Sequence, residues 1–96
     1  METTFYILLS MKTPEGPESF ARFFIGNNEA AARAVFRKLK GRAELDESNV
    51  LYFDFMETRE GLPVNLELIT CTLEQLGENC KIIAKEIFKM NNLEGP

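Results

Sequence analysis

A short element occurs twice in this chain, at a spacing of 45 residues. The sequence MKTPEG at residues 11–16 is followed by METREG at residues 56–61. Each copy follows an alternating apolar stretch, precedes a second one and leads into a helix-like segment. A unit of strand, Glu-Gly turn, strand and helix, used twice, would account for the whole chain as one pseudo-symmetric domain.

The length of the chain allows one hydrophobic core. Its 96 residues predict a single domain over 1–96, with repeat halves at about 3–42 and 49–92. Apolar residues make up 45% of the sequence, yet no apolar stretch approaches the roughly 20 residues that span a bilayer. The first residues carry neither a basic region nor a cleavage site, so we expect a cytoplasmic protein and no membrane partner.

Apolar periodicity predicts four strands and two helices. Period two marks strands at about 3–11, 19–26, 49–58 and 64–69. The pair Asn27-Asn28 supplies an N-cap for a helix that ends near Lys40, before Gly41. Thr72 and Gln75 have the spacing of a capping box that opens a second helix, ending at about residue 91. An acidic connector at 44–48 separates the halves, and the last four residues resemble a frayed end.

These elements predict an α+β fold, a two-layer sandwich. In this fold a pseudo-duplicated ββα-ββα chain forms a four-stranded, mainly antiparallel sheet with two helices on one face. A two-residue loop at Glu60-Gly61 would pair Phe55 with Leu66 and Phe53 with Leu68. The inward helix stripes are predicted to be Ala32, Val35, Phe36 and Leu39, and then Leu73, Leu76, Cys80, Ile83 and Ile87.

Asp54 exposes a conflict between the repeat and the alternation. Aligning Met11 with Met56 puts Asp54 where the first strand has Leu9, on its apolar face, whereas alternation within the third strand turns Asp54 away from the core. We expect the first, proline-bearing hairpin to differ in loop length or to carry a bulge.

The sheet face without helices is predicted to be unusually apolar. Its predicted residues are Tyr6, Leu8, Phe20, Phe24, Tyr52, Met56 and Ile69, among Lys12, Arg22, Asp54, Asn65 and Glu67. Such a face favours coverage by a partner. The candidate ligand or interface residues on it are Arg22, Tyr52, Asp54, Asn65 and Glu67.

Asp54 and Glu67 would stand opposite each other in the predicted register, and like charges there destabilise a sheet. One interpretation is a site in which both carboxylates and Asn65 bind a metal or a basic ligand. Close pairing could also raise the pKa of one carboxylate enough for acid/base catalysis. The alternative is an ion-pair network with Arg22 or Lys12, within the sheet or across a dimer.

Several chemistries find little support in the sequence. Histidine is absent, which removes the commonest general base and metal ligand. Cys71 and Cys80 lack metal-site spacing and are interpreted as packed thiols. No catalytic residue, metal or cofactor is therefore assigned, and we expect a protein that is not an enzyme.

Five basic residues between 28 and 42 suggest a locally basic helix face. The net charge of −4 and the lack of a basic-aromatic motif argue against nucleic acid as a partner.

The function that fits these features best is a non-enzymatic module that self-associates through the helix-free face. A two-fold dimer could pair Arg22 with Asp54 or Glu67. The alternatives are a small-molecule-binding domain with that face as its pocket, and a small acid/base enzyme that uses Asp54 and Glu67. A protein partner of another kind is also compatible with the same surface.

Overall fold

The computed structural model describes residues 3–43 and 50–92, with only the helical backbone described at 91 and 92. The predicted acidic connector at 44–48 and the end at 93–96 lie outside the described residues. The elements, in chain order, are β1 (Thr4–Thr13), β2 (Gly16–Phe24), α1 (Glu29–Arg37), β3 (Leu51–Arg59), β4 (Leu62–Cys71) and α2 (Leu73–Asn92). The chain is therefore of the α+β class, as predicted.

The four strands form one antiparallel sheet in the order β2-β1-β3-β4. The first strands of the two hairpins, β1 and β3, pair with each other at the centre of the sheet. The second strands, β2 and β4, lie at the edges. Both faces of the sheet are therefore centred on β1 and β3.

Two-residue loops close both hairpins. In the first, Thr13 pairs with Gly16, and the Thr13 hydroxyl donates to the Gly16 carbonyl at 2.6 Å. In the second, Arg59 pairs with Leu62 across the predicted Glu60-Gly61 loop. Glu60 and Gly61 have φ values of 53° and 83°. Positive φ at both loop positions matches the right-handed twist of the flanking strands.

Each hairpin also contains a shift in pairing register. The shift in the first lies between Leu9 and Ser10, where Phe20 is left without a partner on β1. The shift in the second lies between Phe55 and Met56, where Leu66 is left without a partner on β3. A bulge of this kind inserts one extra residue into one strand and changes which side chains share a face.

The bulge corrects the predicted register of the second hairpin. The pairs next to the loop are as predicted, but beyond the bulge Phe55 pairs with Glu67 and Phe53 with Ile69. The predicted partners, Leu66 and Leu68, are each one residue away. Because side chains alternate along a strand, this one-residue slip exchanges the two faces of β4 from Glu67 onward.

The common register of the two hairpins explains the conflict at Asp54. The loop-closing pair and the bulge of the second hairpin both lie 46 residues after those of the first. The repeated sequence element has a spacing of 45 residues, which is one residue less than the displacement between the two hydrogen-bonded hairpins. At 46 residues Asp54 corresponds to Leu8, which alternation also turns away from the core, so the two arguments agree.

Both helices contribute to one hydrophobic core against the sheet. The ring of Phe55 is central, since it stacks on Phe36 of α1 at 5.3 Å and on Phe5 of β1 at 6.0 Å between ring centroids. The predicted stripe of α1 is confirmed. That of α2 holds for Leu76, Cys80, Ile83 and Ile87, whereas Leu73, its first residue, is 74% exposed.

The predicted helix starts are confirmed. The Asn28 side chain accepts a hydrogen bond from the Ala31 amide at 2.9 Å. Thr72 and Gln75 form the reciprocal capping box, with each side chain accepting from the other's backbone amide at 3.1 and 3.0 Å. The first helix ends at Arg37, three residues before the predicted end.

Asn79 fixes the segment that follows α1. Its side chain is fully buried, accepts from the Lys40 amide at 2.7 Å and donates to the Lys40 carbonyl at 2.8 Å. The next residues then reach β4, where Arg42 and Thr70 exchange backbone hydrogen bonds at 2.9 and 2.7 Å. A Cβ at Gly41 would overlap the Thr70 carbonyl oxygen, so only glycine allows this approach.

We predict that Asn79→Ala destabilises the fold by about 2–4 kcal/mol, because it leaves the amide and carbonyl of Lys40 unpaired near the core. Urea unfolding measures the change. The matched control is Asn28→Ala, which removes an exposed helix cap and should cost about 1 kcal/mol. A smaller loss for Asn79→Ala than for Asn28→Ala would contradict this role.

Candidate binding surface

The helix-free side of the sheet, called the outer face, is formed by every second residue of the strands. Phe5, Ile7 and Leu9 lie in the core, so the residues between and beside them point the other way. Strand pairing extends this face across the sheet. It comprises Tyr6, Leu8 and Ser10 of β1, Arg22 and Phe24 of β2, Tyr52, Asp54 and Met56 of β3, and Asn65, Leu68 and Thr70 of β4. No helix or strand of the described residues covers it.

Two residues predicted for this face lie elsewhere, and one is ambiguous. Glu67 and Ile69 fall on the helix side, because the bulge at Leu66 shifts β4 by one residue. Leu68 and Thr70 replace them. Phe20 lies at the bulge of β2, unpaired and 54% exposed, so strand alternation assigns it to neither face.

Pairing aligns Arg22, Leu8, Asp54 and Leu68 in one row across the outer face. Arg22 pairs with Leu8, Leu8 with Asp54, and Asp54 with Leu68. A cation on β2 and a carboxylate on β3 therefore flank an apolar side chain on β1. Of the five predicted site residues, the structure brings Arg22, Tyr52, Asp54 and Asn65 to one face.

Asp54 is half-buried and hydrogen-bonded, but it has no ion-pair partner among the described residues. The Asn65 amide donates to its carboxylate at 3.1 Å. Burial raises the pKa of Asp54 above its ordinary value of 3.8, while hydrogen bonds from Asn65 and Ser10 oppose this rise. The carboxylate is thus held in place without a neutralising charge.

Arg22 lies over the ring of Tyr6, with its Cζ atom 4.2 Å from the ring centroid. Stacking of this kind holds a guanidinium over the ring and leaves its N–H groups available to a carboxylate. None of the carboxylates in the described part of the chain is within ion-pair distance of it. Tyr6 itself is only 5% exposed.

Glu67, in contrast, is paired on the helix side. Arg33 of α1 donates to its carboxylate at 2.8 Å, and Arg37 lies 4.0 Å from it. Arg33 also bonds Glu29 at 2.9 Å and lies over the Phe55 ring, 5.4 Å from its centroid. Asp54 and Glu67 therefore form no carboxylate pair, and the predicted arrangement of both with Asn65 is wrong.

Both arginines of α1 and the lysine that follows the helix are held in ion pairs. Besides Arg33 and Arg37, Lys38 binds Glu86 of α2 at 3.0 Å, and Lys89 lies 3.6 Å from the same carboxylate. The hydrogen bond from Lys38 lowers the pKa of Glu86, with further contributions from the charges of Lys38 and Lys89. These contacts tie α1 to α2 and to β4.

Neither cysteine has the environment of a reactive thiol. Both are free, Cys71 in the core and Cys80 packed against it. Burial raises the pKa of Cys71 to about 11 and also raises that of Cys80. No group of three His, Cys, Asp or Glu side chains in the described ranges could hold a metal ion.

Sequence reasoning missed Ser10 and Leu68 as members of the outer face. Ser10 is 4% exposed and shares a hydrogen bond with Ser19 at 3.0 Å between their hydroxyl oxygens. Ser10 lies two residues after Leu8 on β1, so the alternation of the strand already indicates that it shares a face with Tyr6 and Leu8. Leu68 had no such signal, because its face depends on the bulge.

Comparison with protein-family models, with curated proteins and with solved structures finds no match to this chain. In the part of the chain that is described, neither helix combines the length and the apolar character needed to cross a bilayer. The interpretation of the outer face therefore depends on its own chemistry.

We predict opposite pH dependences for Asp54→Asn and Glu86→Gln. The raised pKa of Asp54 means that its ionised form is disfavoured in the fold. This cost is absent below the unfolded pKa of 3.8 and grows as the pH rises through the folded value. Asp54→Asn should therefore become more stable relative to wild type between about pH 4 and pH 7.

Glu86→Gln is the matched control for that measurement. Its lowered pKa means that the ionised carboxylate stabilises the fold above the unfolded pKa of 4.5, and that this stabilisation is lost as the pH falls. Glu86→Gln should lose stability relative to wild type over the same pH rise. Urea unfolding at monomeric concentrations measures both, and parallel behaviour of the two variants would contradict the assignment.

Proposed function

We propose that this protein is a non-enzymatic interaction module that self-associates through the outer face of its sheet. The observation that carries the proposal is an apolar sheet face that no helix or strand of the described residues covers. An antiparallel sheet commonly has one solvated face with polar side chains. Here Leu8, Phe24, Tyr52, Met56 and Leu68 occupy such positions instead.

The size of the face suits a modest interface. Four strands about 4.8 Å apart, each nine or ten residues long at about 3.4 Å per residue, give a flat footprint of roughly 600 Å² per copy. Side-chain relief increases the accessible area toward the roughly 800 Å² per partner of a standard interface. At the centre of the face, Leu8 is apolar and still partly exposed in the single chain, so a partner could bury it as part of an apolar interface core.

The architecture inferred for this module is a two-layer sandwich of two repeated ββα units. Its support is that the buried residues of α1 and α2 share one core with the inward residues of the strands. The common hairpin register at a 46-residue displacement supports the repeat. We infer a reducing compartment such as the cytoplasm, since both thiols are free.

The same face could instead bind a small amphipathic ligand, with Arg22 and Asp54 orienting it. Native mass spectrometry of freshly purified protein separates these functions. A dimer without added mass supports self-association. A monomer that carries a discrete extra mass would replace it with ligand binding.

We predict that Phe24→Ser weakens self-association at least tenfold. Phe24 lies on the outer face and is 60% exposed in the single chain, so its loss should little affect folding but remove apolar area from the interface. Sedimentation equilibrium measures the dissociation constant.

Leu73→Ser is the matched control for Phe24→Ser. Leu73 is a comparably exposed apolar residue, but it lies on α2, away from the outer face. Its substitution should leave the dissociation constant unchanged. Equal effects of the two substitutions, or no effect of Phe24→Ser, would overturn the proposed interface.

A further inference from the structure

We propose that the second copy binds with a two-fold axis that runs along β1 over Leu8, so that Arg22 of each copy pairs with Asp54 of the other. This inference rests on the proposed self-association through the outer face. It adds the orientation of the two copies and the charges that select it.

Two opposite charges on the outer face lack ion-pair partners among the described residues. Asp54 is half-buried and held by Asn65, and Arg22 lies over the ring of Tyr6. The other carboxylate once predicted for this face, Glu67, is already bound by Arg33 on the helix side. Covering the face would bury Arg22 and Asp54 further, and a buried charge is tolerated only when it is paired.

The central row determines which axis can pair them. Arg22 on β2 and Asp54 on β3 lie one strand to either side of Leu8 on β1. A two-fold axis parallel to β1 exchanges the β2 side of one copy with the β3 side of the other. Arg22 of each copy then faces Asp54 of its mate, and the two Leu8 side chains meet at the axis.

The neighbouring rows are compatible with the same axis. Phe24 and Met56 flank Tyr6 in the next row. The Phe24 ring of one copy would therefore face the Met56 thioether of the other. Sulfur and aromatic rings form favourable contacts. In the row on the other side of Leu8, Ser19 and Tyr52 flank Ser10. The Ser19 hydroxyl of one copy would therefore face the Tyr52 phenol of the other.

Other axes leave the charges unpaired. An axis in the plane of the sheet but perpendicular to the strands would place Arg22 over Arg22 of the second copy. An axis parallel to the strands but between β1 and β3 would place Asp54 of one copy opposite Leu8 of the other. It would also place Arg22 opposite Leu68. The first arrangement repels, and the second buries two uncompensated charges in apolar surroundings.

The distances suit an arginine and an aspartate. Packed sheets lie about 10 Å apart, and aligned packing keeps their strands within about 30° of each other. The long side chain of Arg22 and the short one of Asp54 together span that gap. Arg22 can remain stacked on Tyr6 while its N–H groups bind the opposite carboxylate.

The test uses two charge-reversal variants, Arg22→Asp and Asp54→Arg, alone and mixed. Each variant alone brings like charges together at both contacts, so its dissociation constant should rise about 100-fold or more. Mixing the two restores an Asp-Arg pair at both contacts. A heterodimer should then form with an affinity close to that of wild type, and native mass spectrometry distinguishes it from homodimers by mass.

Lys81→Asp, on the exposed side of α2, is the control for charge reversal away from the face and should dimerise as wild type does. Circular dichroism verifies that every variant is folded. A wild-type protein that is monomeric in solution would contradict the proposed self-association itself. A dimeric wild type whose single reversals still dimerise, or whose mixed reversals fail to pair, would overturn only the Arg22-Asp54 axis.

Discussion

The pairing of Phe55 with Glu67 is the constraint on which both faces of the sheet depend. One extra residue, Leu66, turns Glu67 toward α1, where Arg33 neutralises it beside the Phe55 ring. The same shift turns Leu68 outward, in line with Asp54. Without the bulge, Asp54 and Glu67 would stand side by side on the outer face. The bulge therefore separates two carboxylates. Glu67 holds α1, and Asp54 has no ion-pair partner among the residues that the structure describes.

The charges of the two faces differ accordingly. On the helix side, the two arginines of α1 meet Glu67 of β4, and Lys38, the residue after α1, meets Glu86 of α2. On the outer face, Arg22 and Asp54 flank Leu8 without meeting each other. A surface on which an apolar centre separates opposite, unpaired charges is self-complementary under a two-fold rotation, and this property is the basis of the proposed assembly.

The sequence was sufficient for the features that depend on neighbouring residues. Alternation gave the strands, the spacing of Thr72 and Gln75 gave the capping box, and Glu60-Gly61 gave the second loop. It was not sufficient for the bulges, because a one-residue insertion changes no local propensity and is decided by packing between strands. The wrong placement of Glu67 follows from that single miss. The one-residue error in the repeat spacing has a different origin, because the loop-closing pairs themselves lie 46 residues apart.

Asn79 illustrates a second limit of sequence reasoning. An asparagine in the middle of a helix is ordinarily expected to point to solvent, but here it is fully buried and bound to the backbone of Lys40. Its partners lie 39 residues away in sequence, and no local pattern identifies them. Contacts of this kind, between a buried side chain and a distant backbone, become visible only when the helices are placed on the sheet.

The most direct test of the account is an isotope-filtered nuclear Overhauser experiment on an equal mixture of labelled and unlabelled chains. It detects only contacts between copies. The account predicts signals between the methyl groups of Leu8 in the two copies, and between the ring of Phe24 and the methyl group of Met56. Signals between copies that arise from α2 or from the Leu62 end of β4, with none from Leu8, would contradict it.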